Sequence, residues 1–556
     1  MNGANGKRSW EKLIAATGLA VAVLFFSGIM LASDGSLLLK ISKSIDVFGR
    51  VFKEVTTSYV DEIDPEKFME AGIHGMLGTL DPYTVYIDKD NGDEVDLLTS
   101  GKYGGIGVTI GLRDGAVRVI SVMDGYSAHR QGVVPGDRFL EIGGTKVSGL
   151  KPDEIRNLTR GEPGSEVKVL IERDGESEPL EFVLIREEIQ VKNITYSGMI
   201  EDGIGYVRLE RFSRRAGDEL RMAIKDLKLS GEVRGLVLDL RGNPGGLLDA
   251  AVDVVSKFVP RGSMVVSTRG RRMESDKRYS STEEPLLPSI PMVVLTDRNS
   301  ASASEIVAGS LQDLDRALVV GTRTFGKGLV QTIVPLNYGA QLKITTARYY
   351  IPSGRSIQEI DYMHRDRNGV FAVTPDSLRR EFKTSRGRKV YELGGITPDS
   401  TVEQPADGPM VRELHRKSLF FKFANRYVNE HKGDAITGVT PAILQDFQTY
   451  LENQKFDFQE DSEKHVKELR TLAERLRYSK EVFADIEQLE KDMQVDKDRG
   501  FERYRESIEE ELRIELMARV AGERGRIEAS FRTDAQLTVA RGLLRDQKQY
   551  TRRIGG

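Results

Sequence analysis

Ser302 stands in an alternating run, Asn299-Ser300-Ala301-Ser302-Ala303-Ser304-Glu305-Ile306, between an apolar stretch at 292–295 and a helix-like stretch at 303–311. A serine at a strand-to-helix turn exposes its hydroxyl beside the free N–H groups and positive potential of the helix start. Those groups can hold the oxyanion of a tetrahedral intermediate, with the Ala303 N–H first among them, and small neighbours let a peptide backbone approach. The same spacing of Ser302 and Glu305 also fits the S-x-x-E box of an ordinary helix cap. A serine hydroxyl needs a base at neutral pH. No histidine lies between His129 and His364, so lysine is the candidate, and Lys327 in Thr324-Phe325-Gly326-Lys327-Gly328-Leu329-Val330-Gln331 is placed for it. Burial disfavours the charged amine, and the flanking glycines allow close packing around the stem. A solvated turn lysine is the alternative. Gln331, four residues on, shares a face with Lys327 in an extended strand, so its amide can hold the neutral amine. The third candidate is Asp239-Leu240-Arg241-Gly242-Asn243-Pro244-Gly245-Gly246, a glycine-rich turn at the carboxyl end of an apolar run, where α/β proteins bind ligands. Gly245 can supply a second oxyanion donor beside Ala303; a plain strand-to-helix turn is the alternative.

Two near-continuous apolar runs, 235–240 and 292–295, read as central strands of a covered sheet. Each leads through a turn into a helix-like segment, which makes residues 188–405 an α/β block. Residues 101–187 differ. Short alternating runs at 108–110, 117–120, 138–142 and 167–171, with a helix at 152–160, predict a small domain of mostly strand. Its opening Gly104-Gly105-Ile106-Gly107 can present successive N–H groups to a terminal carboxylate, ahead of a strand edge that can accept a peptide, as in a PDZ domain. Arg160 at the rim either couples that domain to the Ser302 turn or is a solvated surface arginine. Residues 36–100 read as a helical cap, with Pro65 opening a helix. Residues 406–556 read as amphipathic helices without chemistry, suited to joining subunits in a homo-oligomer or to binding an adaptor.

With 556 residues the chain needs two to four domains, and a net charge of -4 gives no sign of a nucleic-acid binder. The lack of cysteine excludes disulfides and thiolate chemistry, and six histidines without ligand spacing give a metal site no support; no cofactor is expected. Residues 13–32 form one apolar run behind Lys7, Arg8 and Lys12, long enough for a membrane helix with the body exported. The length of the run and the lack of an Ala-x-Ala site favour an anchor within segment 1–35. A cleaved signal, leaving a secreted protein, is the alternative.

Taken together, Ser-Ala-Ser-Ala-Ser-Glu-Ile (300–306), Phe-Gly-Lys-Gly-x-Val-Gln (325–331) and Leu-Arg-Gly-Asn-Pro-Gly-Gly (240–246) resemble the carboxyl-terminal processing proteases of the S41 type. Tyr-Gly-Gly-Ile-Gly (103–107), Leu-Asp-Pro-Tyr-Thr (80–84) and Gly-Gly-Ile-Thr-Pro-Asp (394–399) fit the same family. The resemblance covers about residues 40–405. It implies an α/β core of the crotonase/ClpP-like type with an inserted PDZ domain, and a serine endopeptidase acting near the C-termini of proteins in the periplasm or another extracytoplasmic space. It further implies Ser302 as nucleophile, Lys327 as base, Gln331 as its partner, and Ala303 with Gly245 (or Gly246) as oxyanion donors. The competing reading is a membrane-tethered PDZ scaffold whose protease-like domain is inactive. The tail beyond Pro405 and a segment at 359–383 depart from the pattern.

Overall fold

The computed structural model describes residues 37–88, 97, 99–113, 115–201, 203–365, 371–373, 375, 377, 379–431 and 433–555, in two compact units divided between Tyr86 and Ile87. The run 13–32, and with it the anchor reading, lies outside the described residues. Among the described residues no helix is long and apolar enough to cross a membrane.

The first unit is helical. A helix at 37–58 precedes Pro65–Leu77, where proline fills the first turn and the Asp64 carboxylate accepts the N–H groups of Glu66 and Lys67 at 3.0 and 3.3 Å.

In the second unit, Val108–Arg113, Ala116–Val122, Arg138–Ile142, Glu166–Glu172 and Leu180–Ile185 form an antiparallel sheet, with helices Ser127–Gln131 and Pro152–Thr159. Alternation decides which face is buried: Val167, Val169 and Ile171 point into a core with Val119, Phe139, Ile142 and Ile155. A separate pair of strands, Lys102–Gly105 and Glu187–Gln190, ties the two ends of this domain together.

The larger sheet has the order Ile194–Glu201, Ile204–Leu209, Gly235–Asp239, Met292–Thr296, Leu318–Gly321 and Ser400–Thr401. Its first pair is antiparallel and the rest are parallel. Side chains leave it on both faces with period two. Leu236, Leu238, Met292 and Val294 pack on one side against helices Ala216–Ser230, Leu248–Ser256 and Ala303–Asp313. Val237, Val293, Leu295 and Val320 pack on the other against Ile527, Leu537, Ala540, Leu543 and Leu544. The second layer of helices therefore comes from Gly522–Ser530 and Ala535–Arg545, far along the chain. Tyr550 joins it, its hydroxyl donating to the Met292 carbonyl at 2.9 Å and accepting the Met292 N–H at 3.0 Å. This is an α/β core between two helical layers. Beside it, Lys277–Ser280, Met264–Gly270, Gln341–Tyr350 and Leu329–Pro335 pair antiparallel in that order. Helices Pro409–Arg416, Leu419–Glu430, Pro441–Asn453 and Arg505–Val520 close a core of their own around Phe420, Phe423, Phe447 and Leu512, and Asp461–Leu476 meets Lys480–Asp498 around Val466, Ala473 and Ile486.

Candidate active site

The Ser302 turn follows strand Met292–Thr296 and opens helix Ala303–Asp313. Ser302 has φ 55° and ψ −112°, a conformation that side chains rarely adopt and that stores about 1–3 kcal/mol of strain. The surrounding turn holds it there. Asp297 accepts the N–H groups of Asn299 and Ser300 at 3.0 and 2.9 Å, and the buried Ser300 and Ser304 donate their hydroxyls to the carbonyls of Leu240 and Asn243 at 2.8 and 2.9 Å. Of the three serines in the run, the outer two are structural and Ser302 is the half-buried one.

Glu305 connects this turn to the lysine loop. It is fully buried, and four donors converge on its carboxylate: the N–H of Ser302 and of Lys327, each 2.8 Å from Oε2, with the Gly326 N–H and the Thr324 hydroxyl at 2.7 and 2.6 Å from Oε1. The opposite sides of the same two residues also share a partner, because the Tyr349 hydroxyl reaches the carbonyls of both Ser302 (3.1 Å) and Lys327. Two backbone segments 25 positions apart are thus pinned side by side. The capping box predicted at Ser302 and Glu305 is real in its reach-back half, and the same carboxylate does more than cap. Burial pushes Glu305 up to about 7, although its four donors favour the ionised form.

The glycine-rich turn lies against Ser302. Gly245 has φ +103°, and a Cβ there would sit 2.7 Å from the Ala301 carbonyl oxygen and 2.9 Å from Ser302 Cβ, so no other residue allows this approach. The Asn243 carbonyl accepts the Ala301 N–H at 3.0 Å, and the Gly242 N–H donates to Asp297 at 3.0 Å. The Asn243 amide is anchored on the Leu209 carbonyl at 2.7 Å, and its Oδ1 accepts the Gly245 N–H at 2.9 Å. Ala303, in the first helical turn, keeps its N–H outside the helical ladder. Gln331 lies on strand Leu329–Pro335 and donates its amide to Thr345 on the paired strand at 3.1 Å.

Gly104 and Gly105 end strand Lys102–Gly105 of the small domain, and Ile106 and Gly107 follow it. Gly104 packs against the Gly161 carbonyl, where a Cβ would approach to 2.0 Å. Next to Gly161, Arg160 is half-buried with its guanidinium 4.7 Å from the Tyr103 ring centre. Both border an apolar cavity of 360 Å³ lined by Ile106, Val108, Ile110, Leu150, Ile155 and Thr159, between strand Val108–Arg113 and helix Pro152–Thr159.

Residues 203–376 match the Peptidase family S41 model, 118–173 a PDZ domain, 33–91 the "Activating protease CtpB N-terminal domain", and 410–544 the "Probable PDZ-protease, C-terminal helical domain". The chain is 38% identical over 366 residues to the carboxy-terminal-processing protease of Bartonella bacilliformis, covering 65% of this chain and 76% of that one. The chain belongs to peptidase family S41. With CtpB of Bacillus subtilis, a carboxy-terminal processing protease, this S41 chain shares 33% identity over 403 residues, 69% of its own length and 81% of the relative's. Among solved structures, the photosystem II D1 C-terminal processing protease is similar at 27% identity and a TM-score of 0.36, with 65% of this chain and 94% of that one covered. The tail, read above as a departure from the family, carries a PDZ-protease match of its own.

Sequence reasoning on this S41 chain missed Tyr349 and Thr324 and saw Glu305 only as a cap. The spacing from Ser302 to Glu305 was a visible signal for the cap. Nothing local could show that the same carboxylate meets residues 324, 326 and 327.

Proposed function

We propose that the chain is an endopeptidase in which Ser302 is the nucleophile, neutral Lys327 the general base and Gln331 a group that orients it. The observation that carries this reading is the double pin on Ser302 and Lys327, at their N–H groups through Glu305 and at their carbonyls through Tyr349. Lys327 takes the hydroxyl proton as Ser302 Oγ attacks the peptide carbonyl. Charge on the carbonyl oxygen is met by the Ala303 N–H and a second donor from the glycine-rich turn. The Gly245 N–H serves once it leaves Asn243; Gly246 is the neighbouring alternative. Lys327 then returns the proton to the departing amine, leaving an acyl-enzyme on Ser302. Water, activated by the same lysine, hydrolyses it.

Substrates enter by their C-termini in this reading. The cavity beside Gly104–Gly107 takes an apolar tail, with main-chain N–H groups for the terminal carboxylate and strand Val108–Arg113 as the edge it pairs with. The basic flank and apolar run at 13–32 support a body that works outside the cytoplasm, anchored or released.

The test is gel analysis of an unfolded protein with an exposed apolar C-terminus. Wild type should degrade it, while Ser302→Ala and Lys327→Arg should not, since arginine does not give up its proton. Equal degradation by Ser302→Ala would remove Ser302 as nucleophile. Degradation by none of the three, with binding retained, would support the scaffold.

A further inference from the structure

The tail helices do more than cover the sheet: one of them touches the glycine-rich turn. Arg241, two residues past Asp239 and directly before Gly242, is 14% exposed and held on both edges of its guanidinium. On one edge, Nε and Nη2 donate to the Asp239 carboxylate at 2.9 and 2.6 Å. On the other, Nη2 pairs with Asp534 at 2.6 Å and Nη1 donates to the Gln536 amide oxygen at 3.1 Å. Burial pulls the fully buried Asp239 up, but Arg241 and Arg208 hold it below the usual carboxylate range.

The tail side of this clamp is itself fixed. Asp534 caps helix Ala535–Arg545 by accepting the Leu537 N–H at 2.9 Å, and it takes the Gln404 amide at 2.9 Å. Gln536 donates to the Val402 carbonyl at 2.8 Å. A planar guanidinium gripped on two edges cannot swing, and neither can the backbone that carries it. That backbone runs straight into Gly242–Gly246, the turn pressed against Ser302.

We infer that Asp534 and Gln536 are positioning residues for peptide cleavage. By gripping Arg241, the C-terminal extension sets the glycine-rich turn, and with it the second oxyanion donor, at its distance from Ser302. Asp239 alone already neutralises Arg241, so the second carboxylate fixes orientation rather than charge. This rests on the reading of Ser302 and the glycine-rich turn given above. A donor slightly out of place weakens binding of the transition state and leaves binding of the substrate tail unchanged, so the loss falls on kcat.

The test compares full-length wild type with Asp534→Asn, Asp534→Glu and Ser302→Ala on one unfolded substrate, with the folded fraction measured by circular dichroism. Asp534→Asn keeps an oxygen for the helix cap and puts an NH2 where the oxygen that grips Arg241 stood. Its kcat per folded molecule should fall about tenfold with KM within about twofold, short of the hundredfold or more that follows deletion of a donor. Asp534→Glu should recover most of that loss. A kcat for Asp534→Asn within twofold of wild type, beside an inactive Ser302→Ala, overturns the inference and leaves the site reading standing. A loss explained entirely by a smaller folded fraction, or one that falls on KM, overturns it too. Full activity of Ser302→Ala would bring down the site reading and this inference with it.

Discussion

The two faces of the six-stranded sheet are covered by different means. On one face lie helices Ala216–Ser230, Leu248–Ser256 and Ala303–Asp313, each a short step in the chain from a strand it covers. On the other lie helices drawn from residues 522–553, more than 120 positions beyond the last strand. The first arrangement is the ordinary α/β crossover, in which a strand, a turn and a helix are one local unit. The second closes the core only after the whole chain is made. The tail is therefore part of the protease body: without it Tyr206, Val237, Val293, Leu295 and Val320 would face water, and Arg241 would lose Asp534 and Gln536.

Deleting residues 522–556 is the harshest way to break this comparison. One whole face of the sheet becomes exposed, so the truncated chain should be insoluble or unfolded and wholly inactive, as read by soluble yield and circular dichroism. A soluble truncation that melts cooperatively would mean the tail layer is only docked. A matched pair of substitutions sharpens the point. Leu220→Ala on the local face and Leu543→Ala on the tail face remove side chains of 0% and 3% exposure. Each should lower stability by about 2–5 kcal/mol in urea melts. A cost for Leu543→Ala below about 1 kcal/mol would show a loose second layer.

The smallest effect concerns Glu305, on the local face. Burial raises it from 4.5 to about 7, so the folded chain holds a proton there that the unfolded chain has already released. Its contribution to stability is fully present below about pH 4.5 and is lost as the pH rises through about 7. The ionised form, which accepts all four donors, is therefore the less stable one, by on the order of 3 kcal/mol. Activity should fall on the acid side with an apparent midpoint near 7. Glu305→Gln, which puts an NH2 among donors, should lose about tenfold in kcat and flatten that limb. Unchanged wild-type rates from about pH 6 to 8 would show that the charge on Glu305 does not set the alignment.

Strand and turn positions around Ser302 could be read from the chain because apolar runs, glycines and the serine alternation are local signals. Gly235–Asp239 and Met292–Thr296 are continuous buried strands, the first ending one residue short of the apolar run, and 167–171 alternates as its pattern predicts. The capping spacing of Glu305 was equally visible. Its second task was not, because a carboxylate three residues into a helix looks the same whether it meets solvent or the loop of Lys327. Strand period put Gln331 on the face of Lys327, but the strand begins only at Leu329 and its register shifts between Val330 and Gln331, and the Gln331 amide donates to Thr345, a partner that only pairing of two strands could supply.

By itself, then, the chain determined where the central strands run, which turns carry Ser302 and Lys327, and that a small β domain precedes an α/β one. Periodicity and turn chemistry act over a few residues, and so they survive in the linear order. Only the tertiary structure decided that Glu305 and Tyr349 would pin Ser302 to Lys327 and that the tail would finish the sheet. Those contacts join positions tens to hundreds of residues apart, selected by which buried face or charge was still unpaired once the local elements had formed.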